Sequence, residues 1–118
     1  MTPLPRGIIL AATPLGNIDD ATPRLRQALA EADYIAAEDT RRTRNLAQAL
    51  GVELRGQILS NFDHNEQDRV EQLIHHARTA TVVVVTDAGM PIVSDPGFPL
   101  VAAAHDAGLP ITCFPGPS

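Results

Sequence analysis

The stretch TVVVVTDAGMPIVSDPG, residues 81–97, opens on a run of valines and ends in Asp, Gly and Pro. An unbroken β-branched run without polar alternation suits a strand buried on both faces, as in a parallel sheet covered by helices. The tail is rich in residues that preset turns, so the strand empties into a stiff loop. That one segment predicts an α/β fold, and the rest of the chain can be tested against it.

Working outward, IILAA (8–12), YIAA (34–37), QILS (57–60) and PITCF (110–114) read as further short buried strands. Helical patterns separate them. In TPRLRQALAEA (22–32), Thr22 can cap, Pro23 suits the first helical position, and Leu25, Ala28, Leu29 and Ala32 share a face. RRTRNLAQALG (41–51) turns Leu46, Ala47 and Leu50 inward and stops at Gly51. NEQDRVEQLIHHARTA (65–80) starts at Asn65 and carries the stripe Val70, Leu73, Ile74 and Ala77. PGFPLVAAAHDAG (96–108) is a fourth helix. The order βαβαβαβαβ predicts a three-layer sandwich around a mostly parallel five-stranded sheet, as a single domain over 1–118.

Composition agrees. The chain has 118 residues, 44% of them hydrophobic but only 3% aromatic, so the core must be aliphatic. Its formal charge of −5 argues against unaided, non-specific nucleic-acid binding. The one cysteine, Cys113, excludes an intrachain disulfide and a Cys-rich metal site, and its apolar setting predicts a buried thiol. No stretch reaches the length of a membrane span, and the N-terminal run reads as a strand rather than a signal peptide. A cytoplasmic location is the expectation.

In a parallel sheet the strand C-termini share one edge, where open α/β folds bind ligands. The segments leaving those ends are TPLGNIDD, EDTRRT, SNFDHNE, TDAGMPIVSDPG and PGPS. They hold nearly all the distinctive chemistry. TPLGN lacks the glycine spacing of a dinucleotide or P-loop site. EDTRRTR sets Arg41, Arg42 and Arg44 near a helix start, where cations oppose the dipole. Either anion contact or pairing with Glu38 and Asp39 would account for them. His64 can act as a base, a phosphate contact or a plain loop residue. DAGMPIVSDPG can grip a polar ligand through its main chain. Asp87 and Asp95 alone do not mark a metal site. His75, His76 and His105 lie on helices and read as structural.

Taken in order, ATPLGNIDD, AAEDTRRT, DHNE, SDPG and FPGPS resemble the N-terminal half of the ribosomal RNA small subunit methyltransferase I family, within the tetrapyrrole methylase superfamily. The resemblance runs from Gly7 to Ser118. It implies an S-adenosylmethionine-dependent enzyme of two α/β domains that methylates a cytidine ribose 2′-hydroxyl in 16S rRNA of the small ribosomal subunit. It also implies that the second domain is absent here, that the fragment alone is inactive, and that a homodimer is compatible with the architecture. By analogy Leu15, Gly16, Asp87, Gly89, Met90 and Ser118 would contact the cofactor. Arg41, Arg42, Thr43, His64 and Asn65 would face RNA, with Glu38, Asp39, His64 and Glu66 as candidate bases and no metal. The chain has Met90 where the family usually has Thr, and Asn61-Phe62 where it has Tyr-His. Two rival readings are a methyltransferase for a small tetrapyrrole and a non-catalytic α/β binding module.

Overall fold

The computed structural model describes residues 3–13, 19, 21–37, 39–60, 66–86 and 97–114, without the side chains of 66, 67, 86 and 97–99. Five strands alternate with four helices: β1 (Gly7–Ala12), α1 (Pro23–Glu31), β2 (Tyr34–Ala37), α2 (Thr40–Ala49), β3 (Gln57–Ser60), α3 (Glu66–Ala77), β4 (Thr81–Thr86), α4 (Gly97–Asp106) and β5 (Ile111–Phe114). All pairings are parallel, in the order β3-β2-β4-β1-β5. The valine strand is at the centre, bonded to β1 and β2.

Period-2 alternation divides the strands between two cores. Ile8, Leu10, Ala36, Val82 and Val84 pack with Val70, Leu73, Ile74 and Ala77 of α3 and Leu100 and Ala104 of α4. Ile9, Ala11, Ile35, Val83 and Val85 pack with Leu25, Ala28, Leu29 and Ala32 on the α1 side, where Leu46 and Leu50 join them. Helices therefore cover both faces, and the expected three-layer sandwich is what the chain forms.

Local signals set the helix ends. The Thr22 hydroxyl accepts from the Leu25 amide at 3.1 Å, and Pro23 follows where a missing N–H costs nothing. The Arg26 guanidinium reaches from α1 to donate to the Leu50 carbonyl at 3.0 Å. A cation so placed satisfies a carbonyl at the end of α2 and complements its dipole. Helix α3 stops earlier than the sequence pattern suggests: the Thr79 amide turns back to the His76 carbonyl at 3.3 Å.

The amino edge of the sheet is clamped by Asp33. Its carboxylate accepts from the Thr81 amide at 2.9 Å, while its own amide donates to the Thr81 carbonyl and its carbonyl accepts from Gln57. Asp33 thus joins β2, β3 and β4. Gly56 packs into this clamp so closely that a Cβ there would collide with the Ala32 carbonyl oxygen and lie 2.6 Å from the Asp33 carbonyl.

Cys113 corrects the sequence reading: its thiol is exposed, not buried. The run ITCF is apolar, but β5 is an edge strand with β1 as its only strand neighbour among the described residues. Ile111 is partly covered on the α4 side, and Cys113, two residues on, lies beyond that cover.

At the same edge as Asp33, the Tyr34 and His76 rings stack at 3.9 Å between centroids, 19° from parallel. Partial burial, and then the nearby charge of His75, lower the His76 pKa from its ordinary 6.5. The fold thus favours the neutral ring. Its contribution is complete above pH 6.5 and is lost as pH falls through the lowered value. Urea unfolding should show a lower midpoint at about pH 5 than at about pH 7.5, and His76→Phe should lessen that fall. An equal fall in both proteins would assign it elsewhere.

Candidate functional site at the carboxyl edge of the sheet

The strand order marks a candidate ligand position. From β1 the chain crosses by α1 to β2 and by α2 to β3, moving toward one side of the sheet. From β3 it crosses by α3 back to β4, and from β4 by α4 to β5, moving toward the other side. Neighbouring strands β1 and β4 thus send their connections in opposite directions over opposite faces. In open α/β sheets ligands bind at such a reversal, outside the carboxyl ends of the strands. Here the two strands end level, with Ala12 paired to Thr86. The segments that leave them, 13–20 and 87–96, hold five of the six residues expected to touch a cofactor: Leu15, Gly16, Asp87, Gly89 and Met90. Those five lie outside the described residues, as does Ser118, which follows β5.

On the α2 side the geometry is explicit. Asp39 is the N-cap: its Oδ1 accepts from the Arg41 amide at 2.9 Å and the Arg42 amide at 3.3 Å. Its Oδ2 lies 3.8 Å from the Arg42 Nε, with side chains 45% and 68% exposed. A pair this open contributes well under about 1 kcal/mol, but it biases where the guanidinium sits. The cap is the stronger feature, worth about 1 kcal/mol against alanine. Thr43 turns inward, only 4% exposed, with its hydroxyl donating to the Asp39 carbonyl at 3.3 Å. Arg41 and Arg44 point to solvent.

The compact motif EDTRRTR therefore splits by helix geometry. Asp39 builds the helix start, Thr43 seats the helix, and the arginines face outward. This places Thr43 beneath the surface that was expected to face RNA. Among the candidate bases, Asp39 commits one oxygen to the cap. Glu38, His64 and Asn65 lie outside the described residues, and Glu66 is placed only as the first residue of α3.

One residue near this edge escaped the sequence reading. Arg69, the fourth residue of α3, is 3% exposed and donates to the Gln72 Oε1 at 3.1 Å. A guanidinium stays charged when buried, so its setting must supply partners. The signal was its spacing: 69, 73 and 77 form an i, i+4, i+8 series on the buried face.

Comparison with known proteins agrees with this geometry. The family described as Tetrapyrrole (Corrin/Porphyrin) Methylases matches residues 7–118. The chain is 55% identical over 112 residues to Ribosomal RNA small subunit methyltransferase I of Mycobacterium bovis, covering 94% of this chain and 39% of that protein. The protein of the same name from Escherichia coli O157:H7 is 39% identical over 93% of this chain and 38% of its own length. The chain thus spans about two fifths of these curated relatives. In fold it matches a cobalt precorrin-4 methyltransferase at a TM-score of 0.73 and 21% identity, over 96% of this chain and 48% of that one. Uroporphyrin III C-methyl transferase of Thermus thermophilus gives 0.69 and 23%, over 95% and 48%. These two likenesses carry the fold alone. With the family match spanning nearly every residue, the chain belongs to the tetrapyrrole (corrin/porphyrin) methylase family.

Proposed function

We propose that this chain is the N-terminal domain of an S-adenosylmethionine-dependent methyltransferase acting on a cytidine ribose 2′-hydroxyl in 16S rRNA of the small ribosomal subunit. The observation that carries the reading is the β1/β4 reversal, which opens a crevice where the Gly/Pro segments 13–20 and 87–96 leave the sheet. The names of the relatives supply the substrate class. The full-length protein works in the cytoplasm, and a second domain completes the cleft.

The crevice fits the cofactor in donor chemistry. Asp87, next after the last residue of β4, offers a carboxylate to hydroxyl groups, and the glycines allow close main-chain approach. Leu15, Gly16, Gly89, Met90 and Ser118 would complete the hold. The cofactor supplies an already activated methyl group, so this domain contributes placement. Orientation of the 2′-oxygen supplies much of the rate. The arginines of α2 hold the RNA backbone, which positions without reading sequence. Proton acceptance falls to Glu38, Asp39, His64 or Glu66, or to a residue of the second domain, with one Asp39 oxygen already committed to the helix cap.

The test is transfer of labelled methyl from S-adenosylmethionine by the full-length protein to small subunits lacking the mark. The expected product is an alkali-resistant dinucleotide containing 2′-O-methylcytidine. Label appearing only in a precorrin or porphyrin substrate would favour the small-molecule branch of the family. Cofactor binding with no transfer to either substrate would favour a binding module.

A further inference from the structure

Helix α2 holds no acidic residue, and its outward face is strongly asymmetric. At roughly 100° per residue, Arg41, Arg44, Asn45 and Gln48 fall together opposite the buried Thr43 and Ala47, while Arg42 lies on a flank. All four of these outward residues are exposed. Among the described residues, the side chains of Arg41 and Arg44 make no hydrogen bond or ion pair. Arg42 differs, because Asp39 sits 3.8 Å from its Nε.

We propose that Arg41 and Arg44 form a two-point clamp for successive RNA phosphates, and that Arg42, on the flank of the helix, stands outside it. The inference rests on the RNA-methyltransferase reading above and divides the arginine cluster within it. Residues three apart on a helix sit about 5–6 Å from each other at Cβ, and both long arms reach further. Each guanidinium presents two donors to a phosphate in a fixed fork. Asn45 and Gln48 beside them add neutral donors. The clamp is a local cation patch on a chain of net charge −5, so it favours a backbone laid along α2 over non-specific coating of the domain. Arg42, about 100° round the helix from Arg41, points away from a backbone laid along that face.

The salt dependence of RNA binding separates these roles. The probe is a single-stranded, cytidine-containing RNA oligomer titrated against the full-length protein at several salt concentrations. Each lost phosphate contact lowers the slope of log K against log salt by about 0.7 on a single strand. Arg41→Gln and Arg44→Gln should each lower it by about that amount, and the double variant by about twice as much. Arg42→Gln should change it by less than about half of one contact. Unchanged melting temperatures would show that the variants fold.

Equal losses from all three arginines, or no loss from Arg44→Gln, would overturn the clamp. Failure of the wild type to bind RNA at any salt would instead remove the underlying reading, and the clamp with it.

Discussion

Asp87→Ala in the full-length protein is expected to weaken S-adenosylhomocysteine binding by about 10-fold to 100-fold, the worth of a hydrogen bond to a charged group. Asp87 is the first residue after β4, whose Thr86 ends level with Ala12 of β1 at the sheet's reversal point. No other acidic residue in the chain directly follows either of these two strands. The core behind it, Val82 to Val85, is fully formed without that carboxylate. The loss should therefore appear in calorimetric affinity, with the melting temperature of the free protein little changed. An affinity within twofold of wild type would move the cofactor away from β4.

Gly56→Ala is expected to be strongly destabilising, by about 3 kcal/mol or more. The added Cβ would collide with the Ala32 carbonyl oxygen and approach the Asp33 carbonyl carbon and oxygen at 2.6 Å. These are backbone atoms at the junction of three strands, where Asp33 binds Thr81 and Gln57, so no side chain can swing aside. Relief requires shifting the start of β3. Chemical denaturation of the domain should show a lower midpoint, and Gly51→Ala offers a contrast. At Gly51 a Cβ meets nothing within 4 Å, and only the left-handed φ of 70° opposes it. A smaller loss at Gly56 than at Gly51 would refute the steric account.

The fold was legible in the sequence because each local signal agreed with its neighbours. Four valines gave the central strand, Thr22 and Pro23 gave the start of α1, and Gly51 closed α2. Strand order was not legible. Apolar runs of similar length carry no mark of which strand is central, and the choice depends on crossover packing. That explains the error at Cys113: an apolar run predicts burial, but an edge strand is covered only in part, and Cys113 lies beyond the α4 cover while Phe114 is buried on the opposite face. The candidate site was legible as a set of loops, because parallel strands gather them on one edge. The division of labour inside EDTRRTR was not. It required the helix phase that starts at Asp39, which turns Thr43 inward and Arg41 outward. A capping Asp two residues before a basic run was the overlooked cue. Arg69 was missed because a charged residue at the end of an apolar stripe reads as surface until burial is measured.

The central claim is that the crevice between the ends of β1 and β4 holds the cofactor. Hydrogen–deuterium exchange on the full-length protein, with and without S-adenosylhomocysteine, tests it most directly. Protection should concentrate in 13–20, 87–96 and 115–118, while β3 and the Asp33 clamp at the opposite edge stay unchanged. Protection centred on the amino edge, or on the β3 side without 13–20 and 87–96, would contradict it.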